Sequence, residues 1–469
     1  MDRRTFMAGS ATATAGALAV FGSATPGSAD AADPTGSGGD HVRSVTAITQ
    51  VFGSGQKLVA VAVEYDRDID GSTLSTSTFA VTDRTVTKVY ANRTAGLARR
   101  GEDGRYVIVE LSPDDTAAAL WVTQQGPGTP PGDGSGDGSG DGSGDGSGDA
   151  GGGPGQGGPV VGDTTPGGTI VAAQATLTQT GTVTTTHGTR YAPDSTARST
   201  DTVVNLIVDD FRQFSFSDPA TGQTLKYNLF VPKTYDRRKS YPMVLFMHDA
   251  SVVNVATEGP LVQGLGAVCW ASPEDQARHE SFVLAPEYGS VVIDDTYEPS
   301  TLFEATANLV ESVTRQYSID RNRLYTTGQS MGAMMSLGLN IRYPDLFAAA
   351  FIVAGQWPET QAAPLAQKKL WILVSADDTK AYPGEQAITE VIQDQGTQVS
   401  TALWDGRSTA AEFAADVRSM KAQRTPVNFA AFEAGTVVPS GSTTSAHMAT
   451  WQVAYTIPGI RDWIMRQSL

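Results

Sequence analysis

The stretch Leu324-Tyr325-Thr326-Thr327-Gly328-Gln329-Ser330-Met331-Gly332 constrains this chain more than any other. An apolar strand leads into Gly328. A helix-forming stretch starts at Met331 and stops at Arg342, just before Tyr343-Pro344. G-x-S-x-G between a strand and a helix predicts a strained, tight turn that holds the serine hydroxyl exposed above a sheet. The flanking glycines leave room for backbone to approach closely. Ser330 is therefore the candidate nucleophile. The alternative, a Gly/Ser turn without chemistry, does not account for the strand on one side and the helix on the other.

The surroundings repeat the same alternation. Leu225 to Val231, Met243 to Met247, Phe282 to Leu284, Ala348 to Val353 and Leu370 to Val374 are apolar runs of strand length. Met243 to Met247 is apolar throughout, as expected of a strand covered on both faces. Leu302 to Tyr317 is helix-like, as is Ala449 to Gln467 with a break at Pro458-Gly459. Strands alternating with helices predict an α/β domain with a mainly parallel central sheet from about Phe211 onward. With the turn at Ser330, the expected fold is of the α/β-hydrolase type.

A serine attacks only when a base takes its proton. In this fold the chain order is serine, acid, histidine. Of the five histidines only His447 follows Ser330, so it is the sole candidate base. The acid should follow a buried strand. Leu370 to Val374 is followed by Ser375-Ala376-Asp377-Asp378, and spacing alone does not choose between the two aspartates. Asp405, after Leu403-Trp404, is a further candidate. An oxyanion hole needs two backbone N–H groups. Met331 should supply one, and Asp249 or Ala250, in the loop after Met247, the other. His248 is then a scaffold residue. Trp270, Gln329, Gln356 and Trp357 are candidates to line the substrate pocket, with ordinary packing as the alternative.

The first 210 residues read differently. Leu58 to Tyr65, Thr85 to Tyr90 and Tyr106 to Leu111 are short β-rich runs between turn residues. Such spacing predicts a β-sandwich. Strand-like sequence resumes at Thr169 to Ala173 and continues to Thr202 to Val208. Between these lies a Gly/Ser/Asp segment, 126–159, repeating the unit Gly132-Asp133-Gly134-Ser135. It has no apolar residues with which to pack, so disorder is expected. A four-residue unit without an apolar position does not fit the nine-residue calcium β-roll repeat, so a linker inserted in a sandwich loop is the better reading. At the start, Arg3-Arg4-Thr5-Phe6-Met7 precedes an Ala-rich run and then small residues to Ala32. That order predicts a twin-arginine export signal.

Charge and cysteine exclude several functions. The formal charge is −17, from 33 basic and 50 acidic residues, which argues against a nucleic-acid partner. Cys269 is the only cysteine, so no internal disulfide and no cysteine metal site can form. No segment is long and apolar enough for a stable membrane span. Neither a metal nor an organic cofactor is expected.

Several further segments carry a family resemblance. These are Tyr227-Asn228-Leu229-Phe230-Val231-Pro232, Tyr241 to His248, Trp270-Ala271-Ser272-Pro273-Glu274-Asp275-Gln276, Lys380-Ala381-Tyr382-Pro383-Gly384 and His447-Met448-Ala449-Thr450-Trp451. With the turn at Ser330, they resemble exported esterases that join an N-terminal immunoglobulin-like domain to an α/β-hydrolase domain. That family is related to the prolyl oligopeptidase-like and polyhydroxybutyrate depolymerase-like hydrolases. The resemblance implies carboxylesterase activity on small acyl esters, with Asp378 as the acid and His447 as the base. Relatives usually carry His-Gly-Ala-Gly where this chain has His248-Asp249-Ala250-Ser251, a departure that bears on the second oxyanion donor.

The expected organisation is a signal and flexible segment at 1–39, an immunoglobulin-like sandwich at 40–210 and a catalytic domain at 211–469. The expected partner is a small-molecule or polymer ester, with the sandwich packing on the catalytic domain or supporting a homo-oligomer. A peptidase, a polyester depolymerase or a feruloyl-type esterase would use the same three side chains. A noncatalytic surface-binding protein with a relic hydrolase domain is the alternative of another class.

Overall fold

The computed structural model of the chain describes residues 40–123 and 167–469. The expected export signal and the Gly/Ser/Asp segment 126–159 lie outside the described residues.

The first half is built from two facing sheets. One has five strands in the order Thr202–Asn205, Val42–Phe52, Gly55–Ile69, Gly104–Leu111, Val86–Asn92. The other has three, in the order Asp194–Ser199, Thr176–Gln179, Phe79–Val81. Side chains alternate across a strand. Val61, Val63, Val107 and Val109 thus meet Phe79, Val81 and Leu177 in a core between the sheets. The residues in between, Ala60, Ala62 and Ile108, join Ile48 and Tyr90 in a second cluster on the outer face. Burial on both faces explains why Leu58 to Val63 is continuously apolar rather than alternating. Trp121–Thr123 pairs with Gly168–Ile170, with Thr123 opposite Gly168, so the chain leaves and returns at one place.

The strand expected over Thr202 to Val208 ends early, at Asn205. There the Asp209 carboxylate accepts from the Asn205 N–H at 2.8 Å, and Ile207 turns to a φ of 68°.

The second half holds a nine-stranded sheet. Its strands are β1 (Phe211–Ser217), β2 (Thr224–Phe230), β3 (Tyr241–Met247), β4 (Phe282–Glu287), β5 (Ile319–Gln329), β6 (Ala349–Val353), β7 (Leu370–Ser375), β8 (Val399–Trp404) and β9 (Val427–Phe432). The spatial order is β1-β2-β4-β3-β5-β6-β7-β9-β8. β2 runs against both neighbours, while every pair from β4 to β8 is parallel. The α/β-hydrolase fold is thus present, with its mainly parallel sheet.

The helices that matter here are α1 (Leu265–Ala271), α2 (Thr301–Gln316), α3 (Met331–Arg342), α4 (Ala381–Asp394), α5 (Ala410–Ala422), α6 (Ala446–Ala454) and α7 (Pro458–Ile464). β3, β7 and β9 are buried at every position, so helices on both faces exclude water from them. Pro458 opens α7 at its first position, where a missing N–H costs nothing.

Buried charge ties α7 to the turn after α1. The Arg461 guanidinium bonds both carboxylate oxygens of Asp275, and both side chains are buried. Asp275→Ala would leave that guanidinium without its counter-ion and is expected to cost about 3–5 kcal/mol of stability. Urea unfolding of the variant and the parent checks this.

The sandwich sits directly on α6. Gly53, at the tip between the first two strands, lies so close to Gln452 that a Cβ there would overlap the Gln452 carbonyl oxygen. Among the described residues, no helix is long and apolar enough to cross a membrane.

Candidate active site

In a parallel sheet with helical crossovers, the loops at the carboxyl ends of the strands form the binding crevice. The ends of β3, β5, β6 and β7 converge here. At the end of β5 the chain turns through Ser330, whose φ of 51° and ψ of −118° lie where a non-glycine residue is strained. Two hydrogen bonds hold it there. Its N–H donates to the Val353 carbonyl at the end of β6 at 3.1 Å, and its own carbonyl accepts from Met334 N at 2.9 Å. The glycines are required by contact. A Cβ on Gly332 would overlap the Met247 carbonyl oxygen at the end of β3, and one on Gly328 would overlap the Gly332 backbone.

His447 stands at the start of α6, whose N-cap Ser445 accepts from Met448 N at 3.2 Å. Its Nε2 lies 2.9 Å from Ser330 Oγ, and its Nδ1 lies 2.5 Å from Asp378 Oδ2. The Trp451 ring packs edge-on against the imidazole, with centroids 5.2 Å apart. The other Asp378 oxygen accepts from Ala381 N at 2.9 Å and Lys380 N at 3.2 Å. Burial pulls the Asp378 carboxyl upward. The hydrogen bond and charge of His447, with the two backbone donors, outweigh it and hold the group below the usual carboxylate value. An ionised carboxylate only accepts, so Nδ1 carries the proton and Nε2 is left to accept from the serine.

Asp377 points elsewhere. It is exposed and accepts from Gly435 N at 2.5 Å. Asp405 accepts from Arg407 N at 2.8 Å. Of the three candidate acids, only Asp378 meets the histidine.

The loop after β3 accommodates aspartate where glycine was expected. Asp249 has a φ of −78° and ψ of 175°, an extended conformation that needs no glycine. Its carboxylate accepts from Ser251 N at 2.8 Å and from Gln329 Nε2 at 2.8 Å, so it anchors the loop to the turn at Ser330. Gln329 Nε2 also reaches Gln263 Oε1 at 3.2 Å. His248 is fully buried. Its Nε2 accepts from Tyr288 N at 3.1 Å, so Nδ1–H donates to the Asp249 carbonyl at 2.7 Å. Burial draws its pKa down to about 4, which keeps it neutral. Met331 and Ala250 each open a helix, where the first N–H groups lack an intrahelical acceptor.

One hollow lies over the serine and a second lies beside it, sharing Ser445 as a wall. The smaller, about 260 Å³, is lined by Ser330, Met334, Ala354, Gln356, Asp378 and His447, among others. Asp295 closes its rim, accepting from Gln356 Nε2 and Lys380 Nζ at 2.8 Å each. The larger, about 580 Å³, lies between the sandwich and the loops at Asp249 and Ser445.

Of the residues expected to line a pocket, only Gln356 does so. Trp270 is 1% exposed and packs in the core from α1, because its helix lies flat on the sheet. Trp357 covers Gly338 in α3, where a Cβ would come within 2.5 Å of the ring, and its N–H donates to Gln361 at 3.2 Å. Gln329 faces inward to Asp249. Cys269 is buried, and burial pushes its thiol up to about 12, so it is inert.

Sequence reasoning missed Asp295, Gln263 and Glu385. Glu385 in α4 is fully buried, accepts from Gly355 N at 2.9 Å, and is raised well above the usual carboxylate value by burial. A single glutamate at a buried helix position leaves no periodic signal beyond being out of place on an apolar face.

Residues 44–192 match the family described as Esterase Ig-like N-terminal domain, and residues 219–435 match the Esterase family. Acetylxylan esterase A of Emericella nidulans is 47% identical over 96 residues, 17% of this chain and 32% of that protein. Poly(3-hydroxyalkanoate) depolymerase C of Paucimonas lemoignei is 31% identical over 177 residues, 36% of this chain and 40% of that protein. The chain thus spans well under half the length of either relative. A solved structure described as a thermostable esterase is similar with a TM-score of 0.72 at 26% identity, covering 91% of this chain and 100% of that one.

Proposed function

We propose that this chain, which matches the Esterase Ig-like N-terminal domain over residues 44–192 and the Esterase family over residues 219–435, is a serine carboxylesterase acting on short acyl esters. The observation that carries the reading is the hydrogen-bonded chain from Ser330 Oγ through His447 to Asp378.

In this reading Ser330 Oγ attacks the ester carbonyl while His447 Nε2 takes its proton. Asp378 holds the imidazole in the tautomer that can accept and stabilises its charged form. The N–H groups of Met331 and of Ala250 or Asp249 hold the tetrahedral oxyanion. His447 then gives its proton to the departing alkoxide, leaving an acyl-enzyme. Water, deprotonated by His447, attacks the acyl carbon and releases the acid, and Ser330 regains its proton. The small hollow beside Ser330 and the acetylxylan esterase relative both support a short acyl group. Arg3-Arg4, with the apolar and small residues after it, supports export by the twin-arginine route.

Steady-state assays with a short acyl ester, a peptide amide and a polyester film test the reading. Turnover of the ester is expected to dominate. Amide turnover without ester turnover would overturn it in favour of a peptidase. Failure of a fluorophosphonate probe to label the chain would favour a relic domain.

A further inference from the structure

We propose that the cleft between the sandwich and the catalytic domain is a subsite for a neutral carbohydrate, the alcohol part of the ester. The inference rests on the esterase reading and names the substrate class of that same site.

The cleft is the larger of the two hollows, about 580 Å³, within the range of ligand sites. It adjoins the loops around the serine. Asp249 and Ser251, which line it, flank Ala250 in the oxyanion loop, and Ser445 lines both this cleft and the hollow over Ser330. In this proposal an ester carbonyl held at Ser330 has one arm in the small hollow and the other directed past Ser445 toward the cleft. The small hollow suits the short acyl group, which leaves the cleft to the alcohol.

Its walls are polar and almost uncharged. The sandwich contributes Ser54 and Thr123 beside Trp121, and the catalytic domain contributes Ser251, Gln263 and Gln452 beside Trp451. Among the described residues no lysine or arginine lines it, so an anion would find no counter-ion there. Asp249, the one carboxylate among the described lining residues, already accepts from Ser251 N and Gln329 Nε2, so a cation would find little more. Hydroxyl and amide groups both donate and accept. They match a ligand whose own hydroxyls do the same, whereas a polyester offers acceptors only. Gln263 is 5% exposed, and its Nε2 is buried without an acceptor among the described residues.

The assignment gives the sandwich a part in recognition. Ser54 sits at the exposed tip beside Gly53, and the contact of Gly53 with Gln452 fixes this wall against α6, the helix that carries His447.

The test uses the full chain, with xylotriose and its acetylated form as probes. Ser54→Trp fills the cleft from the sandwich side, and Ser442→Trp fills it from the opposite wall. Calorimetry is expected to show xylotriose binding to the parent and weakened at least about tenfold in each variant. The ratio of kcat/KM for acetylated xylotriose to that for 4-nitrophenyl acetate should fall by a similar factor, about tenfold. Absence of xylotriose binding, or binding that changes by less than about twofold in both variants, overturns the proposal. So does tighter binding of a 3-hydroxybutyrate oligomer than of the sugar. Sugar binding without any ester turnover would sink the esterase reading and leave the cleft standing.

Discussion

Ser330→Ala is expected to lower kcat for a short acyl ester by about six orders of magnitude, since residues that act as one unit fail together. Loss of the Oγ removes the proposed attacking atom and leaves His447 Nε2 without its 2.9 Å partner. Alanine keeps the backbone, and the strained turn is held by Val353 and Met334, so folding should survive. Substrate KM should change much less than kcat. Residual turnover would come from binding and the oxyanion donors alone. Single-turnover kinetics and fluorophosphonate labelling read the effect. Labelling of the alanine variant equal to that of the parent would place the reactive serine elsewhere.

Asp378→Asn should lower kcat by about four orders of magnitude while leaving the fold intact. Asparagine can keep accepting from Ala381 N and Lys380 N through one oxygen. Its amide, however, donates toward His447 Nδ1. The imidazole then carries its proton on Nε2, facing Ser330, and has no lone pair with which to take the serine proton. Asp377→Asn is the control. That side chain faces Gly435 in solvent, and its kcat should stay within about twofold of the parent. Equal losses in the two variants would contradict the assignment of the acid to Asp378.

Much of the catalytic half was legible because its signals are local. The turn at Ser330 declared itself through the strand before it and the helix after it, and α3 runs over the expected Met331–Arg342. β3 and β7 were continuous apolar runs because both their faces are covered. Edge strands were harder. β1 is mostly exposed, and β8 alternates only weakly, so neither has a long apolar run. β9 is wholly buried but carries Asn428, whose Oδ1 accepts from the Ser400 hydroxyl at 2.8 Å across the sheet, and that partner is invisible in a linear reading. α4 and α5 were missed because only a few of their residues face the core.

The site divided along the same line. Ser330 and His447 followed from motif and chain order, whereas choosing Asp378 over Asp377 needed the resemblance, because adjacent aspartates look alike until the loop is folded. Pocket residues depend on where loops point, so for Trp270 and Trp357 a pocket wall and ordinary packing stayed open in the sequence, and the structure buries both. No local pattern in the sequence marked the cleft, since its walls come from segments hundreds of residues apart.

The tie between Asp249 and Gln329 spans 80 positions and makes one unit of substitution out of two. Changing Asp249 to glycine would leave the Gln329 amide only Gln263 Oε1, and changing Gln329 alone would leave the Asp249 carboxylate only Ser251 N. Anyone remodelling the oxyanion loop should randomise both positions in one library, because beneficial pairs lie beyond the reach of single steps.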